Sequence, residues 1–394
     1  MENSTHQLIW SSVEEIVRAA ARDFVQSVLE DEVTLALDRA RYERGGDGYR
    51  NGHRDRTLLT SMGPLELSVP RARLFGDDGE HEFRCSVIPK SRRLSLEAES
   101  LIAAVYLCGV STRRVSLALA QALGPSVTKS TVSRCLEQLR PSWEAWQKRD
   151  LSRDSIVRLI VDGFCVEVRI DRKSTRMNML VCMGVMEDGQ KVVLSIKEMA
   201  SESKAAWAEL FEDLSSRGVK EPQLLVCDGS KGLESALAEI WPNALVQRCT
   251  VHKLRNLLSH APKSMHEELE CDYREMIYAD TAEDALAARQ HFLTKYKSRC
   301  PAVAKSLEEA GDRLFTFLRF PPIQWKGIRT TNAIERLNEE FRRRVKVQGM
   351  QPNGQSVCML FWALIASGAI TLRKVDGYET LNTTPQKELN LTAA

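Results

Sequence analysis

Three carboxylates in this sequence have surroundings that suit a divalent metal ion. Asp162 follows an apolar run in LIVDGF, and Asp228 follows a second apolar run in LLVCDGSKGL. Each precedes a glycine, so we expect each acid at the end of a strand, where little side chain blocks approach. Glu335 lies in IRTTNAIERLNEEFRRR, in the predicted first turn of a strongly basic helix. Two strand-end acids and one helical acid are typical of sites for metal-dependent phosphodiester cleavage.

The chemistry of such a site explains why so few residues are enough. Phosphodiester cleavage needs a nucleophilic oxygen at neutral pH and a stabilised leaving oxygen, and two divalent ions roughly 4 Å apart supply both. Mg²⁺ prefers hard oxygen ligands and keeps several waters. Because close carboxylates repel, at least one pKa should rise when no metal is bound. We therefore predict that Asp162, Asp228 and Glu335 are the catalytic residues and the ligands of two Mg²⁺ or Mn²⁺ ions.

Each acid also has a plainer interpretation. An Asp-Gly pair after a strand is most often a turn. Glu335 lies three residues after Asn332, which is the spacing of a capping box, and its neighbours Glu339 and Glu340 are competing acids. With a period of 3.6, the apolar residues of this helix fall on the face opposite Glu335. That face should pack on a sheet, so that the Glu335 edge reaches the end of the sheet.

The same helix carries further polar residues that we assign to the site. Asn338 shares the face of Glu335, and we predict that it supports the active site. A basic group follows, consisting of Arg342, Arg343, Arg344 and Lys346. We predict that these four side chains contact DNA phosphates, an interaction that weakens as salt is added.

The segment QRCTVHKLRNLL places Cys249 and His252 at CxxH spacing, with Arg255 one turn further on. Such a pair can indicate zinc, but the sequence has no second pair at the spacing of a structural zinc site. We interpret Cys249 and His252 as a packed or hydrogen-bonded pair near the active site, and we assign Arg255 to the same supporting group. Trp325, in PPIQWKG, either stacks on an unpaired base or lies in the core or an interface.

An α/β pattern after residue 150 must position these side chains. Apolar runs predict strands at 156–161, 164–170, 177–186, 191–196, 223–227 and 245–246, and helices at 203–217, 231–240 and after Arg248. Neighbouring strands followed by strands that alternate with helices indicate a mixed sheet covered by helices. Residues 263–320 show only helical periodicity, which is typical of a helical insertion in an α/β core.

The N-terminal third has a different pattern. Apolar residues recur at helical spacing over 12–40, with an acidic outer face, and alternation around Gly63 and Pro64 predicts a small hairpin. The helical block from Leu94 and the following VTKSTVSRCLEQL have the spacing of a helix-turn-helix, with Thr128 or Ser130 as the N-cap.

The start of this second helix would contact DNA through three polar residues, namely Lys129, Ser133 and Arg134. An ordinary helical hairpin is the alternative. The basic segments RNGHRDR and PRAR favour DNA binding modestly, because each by itself is typical of a solvated surface.

Composition excludes several classes of protein. The 394 residues are 43% hydrophobic and 27% charged, with a net charge of +2, which is typical of a folded globular chain and too mild to indicate nucleic acid. The ten cysteines are scattered without a CxxC pair, which favours a reducing compartment. The N-terminus lacks the features of a signal peptide, and no apolar run has membrane-spanning length. We therefore expect a cytoplasmic, nucleoid-associated protein that contacts no membrane.

Taken together, these segments resemble the bacterial branch of the Mutator superfamily of DDE transposases. The matching strings span roughly residues 45–370 and include RNGHRDRTLLT, GPLELSVPRAR, GVSTRRVSLALAQALG, DGSKGLESALAEIWPNALVQRCTVHKLRNLL and TTNAIERLNEEFRRRVKVQG. The resemblance implies a ribonuclease-H-like core, a helical insertion before the final acid, and Mg-dependent cleavage and joining of transposon ends. The family's acidic triad falls on Asp162, Asp228 and Glu335, and its CxxH motif falls on Cys249 and His252.

The predicted fold is an α/β catalytic core with a ribonuclease-H-like mixed sheet, helices on both faces and an all-helical insertion, preceded by a mainly helical DNA-binding region. The predicted divisions are 1–90 for an N-terminal helical and small β region, 91–150 for the helix-turn-helix, 151–262 for the first part of the core, 263–325 for the insertion, 326–375 for the final part of the core and 376–394 for a tail. One departure from the family is that Ala310-Gly311-Asp312 stands before Arg313-Leu314-Phe315, where members often carry a tryptophan.

The predicted function is that of an insertion-sequence transposase. It would bind terminal inverted repeats and target DNA, cut and join strands with Mg²⁺, act as a homodimer or higher oligomer, and use no organic cofactor. The alternatives are a transposase-derived DNA-binding regulator without catalysis and a stand-alone ribonuclease-H-like nuclease. The three intact acids weigh against the regulator, and the N-terminal third weighs against the nuclease.

Overall fold

A computed structural model describes residues 2–43, 45, 47–76, 79–125, 127–170, 172–199, 201–348 and 351–386, with only the backbone described for residues 2–12 and 121. The chain divides after Gln138 into two compact units. Residues 387–394 of the predicted tail lie outside the described residues. Within the described ranges, no helix has the length and apolar character needed to cross a membrane.

The first unit combines helices with a three-stranded antiparallel sheet. Its elements are α1 (Glu2–Ala36), β1 (Gly48–Thr60), β2 (Gly63–Gly76), β3 (Gly79–Glu82), α2 (Leu96–Leu107), α3 (Thr112–Leu123) and α4 (Lys129–Glu137). The predicted helix over 12–40 is confirmed as one long helix that ends at Ala36, and its Leu29 packs against Leu65 and Leu67 of β2. The hairpin is confirmed too, with strands longer than predicted and a third strand beside β2.

The predicted helix-turn-helix corresponds to α3 and α4, which a short turn joins. The Thr128 hydroxyl accepts the backbone N–H of Thr131 at 3.2 Å, so Thr128 is the N-cap of α4. The side chains of Lys129, Ser133 and Arg134 are exposed along α4. The two helices and the N-cap are therefore as predicted, and these three side chains lie on the solvent side; their contact with DNA stays a prediction.

The second unit is built around a five-stranded mixed sheet. Its elements are α5 (Arg140–Gln147), β4 (Ile156–Ile170), β5 (Lys173–Met186), β6 (Lys191–Met199), α6 (Lys204–Ser216), β7 (Leu224–Cys227), α7 (Lys231–Ile240), β8 (Leu245–Arg248), α8 (Thr250–Ser259), α9 (His266–Ile277), α10 (Ala282–Arg299), α11 (Pro301–Ala310), α12 (Pro322–Ile328), α13 (Asn332–Gln348) and α14 (Gly354–Ala366). The strand order is β6-β5-β4-β7-β8. β4, β5 and β6 pair antiparallel, whereas β7 and β8 continue the sheet in parallel.

Helices cover this sheet on both faces. Leu159 and Val161 of β4 lie in one core with residues of α6 and α7, including Trp207 and Leu210. Side chains alternate along a strand, so Phe164 points to the other face. There its ring lies 6.4 Å from Phe341 of α13 and 5.9 Å from Phe361 of α14. The expectation of a mixed sheet covered by helices is confirmed.

The strand that carries Asp162 differs from the prediction. The two strands expected at 156–161 and 164–170 are one strand, β4, and Asp162 lies in its middle opposite Val181. The expectation that Asp162 ends a strand is therefore wrong. Gly163 stays extended because β5 pairs with β4 along nearly its full length, so a continuous hydrogen-bond ladder outweighs the turn preference of Asp-Gly. Asp228, in contrast, directly follows β7 as expected.

The segment between α8 and α12 is helical, as expected for 263–320. It contains α9, α10, α11 and short 3-10 turns at Gly311–Leu314 and Thr316–Arg319. Trp325 of α12 is only 7% exposed, and its indole N–H donates to the Phe320 carbonyl at 2.7 Å. The core interpretation of Trp325 is confirmed, so this ring does not present a face to a base.

Candidate active site

Three adjacent strands bring polar residues into one row. β4 and β7 pair in parallel with Ile160 opposite Val226, two residues before each aspartate. Continuing this register sets Asp162 level with Asp228, and the β7–β8 register extends the row to Cys249. Adjacent strands lie about 4.8 Å apart. Side chains distant in sequence therefore converge at one position of the sheet.

Asp162 is half-buried in this row, and α13 holds its carboxylate. Its Oδ2 accepts a hydrogen bond from Asn338 Nδ2 at 2.7 Å. Burial raises the pKa of the Asp162 carboxyl to about 6; the Asn338 bond and His252 oppose that rise, and the charges of Asp228 and Glu335 add to it. The like-charge contribution agrees with the predicted repulsion among the three acids.

Asn338 contributes an unused acceptor to the same place. The residue is 1% exposed, and its Oδ1 is buried with no hydrogen-bond partner among the described residues. A buried carbonyl oxygen without a partner costs free energy unless a donor or cation meets it. The predicted supporting role of Asn338 therefore has a specific geometry, with Nδ2 on Asp162 and Oδ1 open to a further partner.

Asp228 begins a tight turn beyond β7. Its exposed carboxylate accepts the backbone N–H of Ser230 at 3.0 Å. Gly229 has φ +91°, and a Cβ there would lie 3.0 Å from Cδ of Arg248. The Asp-Gly-Ser turn therefore rests on the Arg248 side chain, and glycine is needed both for the backbone angle and for this close approach.

Glu335 lies in the first turn of α13 with its carboxylate among side chains. The Thr331 hydroxyl donates to Oε1 at 3.0 Å, His252 Nε2 lies 3.5 Å from Oε1, and an Arg255 nitrogen lies 3.8 Å from Oε2. The N–H of Asn332 donates to the Thr330 hydroxyl at 3.4 Å. The capping-box interpretation of Glu335 is therefore wrong, because this carboxylate faces the site.

Cys249 and His252 form the packed pair that the sequence indicated. Cys249 is fully buried and its Sγ accepts the Thr331 N–H at 3.4 Å. Burial alone would raise the pKa of the Cys249 thiol, but hydrogen bonds from His252 and Thr331 outweigh it and lower that pKa. The bond to Cys249 raises the pKa of His252 to about 9, against the effect of burial. The ligand atoms of Cys249, His252 and Glu335 all lie within 4.8 Å of one another, and Asp162 and Asp228 lie outside that group.

The competing acids and the predicted DNA contacts of α13 differ in how exposed their side chains are. Glu339 is exposed, and Glu340 forms an ion pair with Arg343 at 2.6 Å, so that pair partly neutralises one of the predicted DNA contacts. Arg342 is exposed with its guanidinium 5.1 Å from the ring centre of Phe164. The other two predicted contacts are Arg344, which is half-buried, and Lys346, which is exposed.

Two residues at the site were not predicted from the sequence. Thr331 contacts Cys249, His252 and Glu335, and its position just before the helix is a signal that could have identified it. The Glu202 carboxylate packs on Gly163 so closely that a Cβ there would lie 2.5 Å from Oε1. Burial, followed by the charge of Asp228, raises the pKa of Glu202. No local pattern marks Glu202, because the loop before α6 brings it there.

Comparison with known proteins finds one consistent group. The family model described as "Transposase, Mutator family" matches residues 1–371. The transposase for insertion sequence element ISRM5 of Rhizobium meliloti is 33% identical over 350 residues, which is 88% of this chain and 86% of that protein. The transposase for IS256 in transposon Tn4001 of Staphylococcus aureus is 31% identical over 349 residues, 86% of each chain. The transposase for IS1081 of Mycobacterium tuberculosis is 30% identical over 355 residues, 89% of this chain and 84% of that protein.

Proposed function

Because this chain belongs to the Mutator family of transposases, we propose that it moves an insertion sequence by Mg-dependent cleavage and joining of DNA strands at a DDE site. Asp162, Asp228 and Glu335 are the acids of that site. The observation that carries the proposal is the row of Asp162 and Asp228 on adjacent strands, with α13 bringing Glu335 and Asn338 beside it. The plainer interpretations as turns and caps do not account for this convergence.

The core is proposed to be ribonuclease-H-like. The supporting features are a sheet of three antiparallel strands extended by two parallel strands, an acid on the first and central strand, β4, and a second acid directly after β7. The helices α9 to α11 then correspond to the insertion before the final acid. The strand order supports this assignment, because β4 pairs antiparallel with β5 on one side and parallel with β7 on the other.

The residues present fit a hard divalent cation. The three acids offer oxygen ligands, and the buried Oδ1 of Asn338 is an acceptor that a cation or a metal-bound water would satisfy. When bound, Mg²⁺ would generate the nucleophilic oxygen and stabilise the leaving oxygen. The ligands would be Asp162, Asp228 and Glu335.

The protein's own contribution is orientation. Asn338 fixes Asp162 through its 2.7 Å hydrogen bond, so this carboxylate keeps one direction despite its burial. The Thr331 hydroxyl donates to one oxygen of Glu335, and an Arg255 nitrogen lies 3.8 Å from the other. Such supporting contacts are typically worth 10–100-fold in metal affinity or activity, as an order of magnitude. This is the role that we assign to the side chains around the triad.

DNA is proposed to meet two separate surfaces. On α4, Lys129, Ser133 and Arg134 are exposed at the start of the second helix of the predicted motif, where base contacts are made in proteins of this type. On α13, Arg342 and Lys346 are exposed beyond Glu335, where they would hold phosphates. Terminal inverted repeats and target DNA are the proposed partners, and a homodimer or higher oligomer in the cytoplasm is the proposed active form.

The test is cleavage and joining of oligonucleotides that carry the element's own ends. We expect Asp162→Asn, Asp228→Asn and Glu335→Gln each to lower the Mg-dependent rate by at least about 10³-fold, because a lost metal ligand removes several kcal/mol of transition-state stabilisation. End binding in a gel-shift assay should change less than about threefold. Glu339→Gln, an exposed acid on the same helix, is the matched control and should keep its rate.

The outcome assigns each residue separately. Full activity in any one acid variant would remove that residue from the site. Binding to the ends without cleavage by the unmodified protein would favour a DNA-binding regulator, and cleavage of RNA hybrids without end specificity would favour a nuclease.

A further inference from the structure

Cys249, His252 and Glu335 form a compact group of metal-ligating side chains beside the DDE acids. Their ligand atoms lie mutually within 4.8 Å, and His252 Nε2 is already 3.5 Å from Glu335 Oε1. The first two residues come from the start of α8 and the third from α13, so the tertiary fold rather than local spacing assembles the group.

The spacing suits a tetrahedral ion. Zinc binds nitrogen and oxygen at about 2.0–2.2 Å and sulfur at about 2.3 Å, which sets such ligands roughly 3.3–3.8 Å apart. The His252 and Glu335 atoms already satisfy that range. The widest separation that the group allows, 4.8 Å, would need the ligands to close by about 1 Å. A movement of this size is what the proposed site requires of the side chains.

The chemistry of the ligands favours zinc over magnesium. A thiolate and an imidazole are soft or borderline donors that suit Zn²⁺, whereas Mg²⁺ prefers oxygen. Three protein ligands with a fourth open position are typical of accessible zinc sites. The fully buried Cys249 offers its sulfur from the protein side, and the half-buried His252 and Glu335 stand toward solvent.

Thr331 supplies the surrounding contacts that such a site needs. Its hydroxyl lies 3.5 Å from His252 Nδ1 and donates to Glu335 Oε1 at 3.0 Å. Its N–H points at the sulfur of Cys249. A metal-binding histidine usually has its second ring nitrogen held in this way, which fixes the direction of the first.

We propose that Cys249, His252 and Glu335 form a zinc site, and that zinc bound there withdraws Glu335 from the magnesium site. The first part stands on the geometry alone. The second part rests on the proposed function, because it needs Glu335 to serve the DDE acids. Asp162 and Asp228 lie outside the zinc group, so the two metals share one ligand and compete through it.

Cobalt binding tests the site without any catalytic readout. Titration of the full chain with Co²⁺ should give a thiolate-to-cobalt charge-transfer band that saturates at one ion per chain and disappears when zinc is added. Cys249→Ser should lose the band. Cys271→Ser, which removes an exposed thiol on α9, is the matched control and should keep it.

Further variants guard against misfolding at the buried Cys249. His252→Gln and Glu335→Gln should each weaken cobalt binding by at least about 10–100-fold, and Glu339→Gln should not weaken it. Absence of the band in the unmodified protein would overturn the proposal. Retention of the band in Cys249→Ser, or unchanged affinity in Glu335→Gln, would overturn it as well.

Catalysis supplies the last comparison. Zinc should inhibit Mg-dependent cleavage of the element's ends, and a zinc-selective chelator should restore it. Equally strong zinc inhibition of a variant that lacks the cobalt band would refute the proposal that the two metals share Glu335. The absence of inhibition at saturating zinc would refute it as well. A chain that binds cobalt as expected but never cleaves DNA would contradict the proposed function and leave the zinc site standing.

Discussion

Replacing Arg248 with methionine should cost far more stability than replacing any exposed arginine, because Arg248 sits in a buried charge network. Its Nε and one terminal nitrogen contact the two oxygens of Glu234 at 2.6 and 3.1 Å, and its other terminal nitrogen contacts Glu309 at 3.1 Å. Arg313 also pairs with Glu234. Arg248 therefore joins the end of β8 to α7 and α11 while its stem supports the turn at Gly229.

The expected loss of stability follows from the buried carboxylate that the substitution leaves with fewer partners. Arg248→Met keeps the apolar stem but leaves Glu234, which is only 8% exposed, with Arg313 as its remaining cation. Removing one partner of a buried ion pair costs about 3–5 kcal/mol. Because Arg313 is more than half exposed and still present, we expect the lower end, about 3 kcal/mol. Adding Glu234→Leu removes the stranded carboxylate, so the double variant should be about 1–3 kcal/mol more stable than the sum of the single effects predicts.

Urea unfolding of the full chain measures these values. Tryptophan fluorescence reports the second unit well, since Trp207 and Trp241 are buried in the core that α6 and α7 form with the sheet. Arg274→Met is the matched control, because Arg274 pairs with Glu270 on the surface of α9 and should contribute no more than about 0.5 kcal/mol. A cost below about 1 kcal/mol for Arg248→Met, or strictly additive effects in the double variant, would refute the reasoning.

Two further outcomes follow from single contacts. Asn338→Leu removes the hydrogen bond to Asp162 together with the buried unpartnered oxygen, so the free energy of unfolding should change by less than about 1 kcal/mol. The Mg²⁺ concentration for half-maximal cleavage should rise roughly 10–100-fold. An unchanged Mg²⁺ requirement would contradict this role. Trp325→Phe loses the indole bond to Phe320, so chemical denaturation should report a loss of about 1–2 kcal/mol and gel shift an unchanged DNA affinity. Weaker DNA binding at full stability would instead support base stacking.

Much of the second unit could be predicted because its elements have strong local patterns. The helices at 204–216 and 231–240 and the short strands β7 and β8 agree with their apolar periodicity. The error at Asp162 has a different origin. Asp-Gly has a local preference for turns, whereas the pairing that keeps Gly163 extended comes from β5, a separate strand. Pairing with another strand cannot be predicted from the six residues LIVDGF around the acid.

The candidate site shows the same division between local and tertiary information. The three candidate acids could be named from the sequence because Asp162 lies in an apolar strand, Asp228 follows another and Glu335 lies in the first turn of a basic helix. The contacts that orient them could not, since Asn338 reaches Asp162 and Thr331 reaches Cys249 only after α13 crosses the sheet. The capping spacing of Glu335 was misleading for a related reason: its carboxylate accepts from the Thr331 hydroxyl and lies beside His252 and Arg255 of α8, instead of bonding the Asn332 N–H.

The position of Asp162 also explains how an acid inside a strand can remain accessible. On one side β4 is paired with β5 almost throughout, but on the other side β7 ends at Cys227 and β4 continues beyond it. Asp162 is therefore internal with respect to β5 and terminal with respect to β7. The expectation that Asp162 ends its own strand was wrong. The physical requirement behind that expectation is an open approach beside a rigid backbone, and it is met where β4 extends past the end of β7, a place that we call the step in the sheet.

The packing of α13 then determines which of its residues meet the step. The Phe341 ring stacks on Phe361 with centres 4.1 Å apart and lies beside Phe164, which fixes the rotation of the helix about its own axis. With that rotation set, Asn338 faces β4 and Glu335, one turn earlier, faces His252 of α8. A shift of one residue would turn the helix by about 100° and remove both contacts together. An apolar cluster outside the candidate site therefore sets the direction in which Asn338 and Glu335 point.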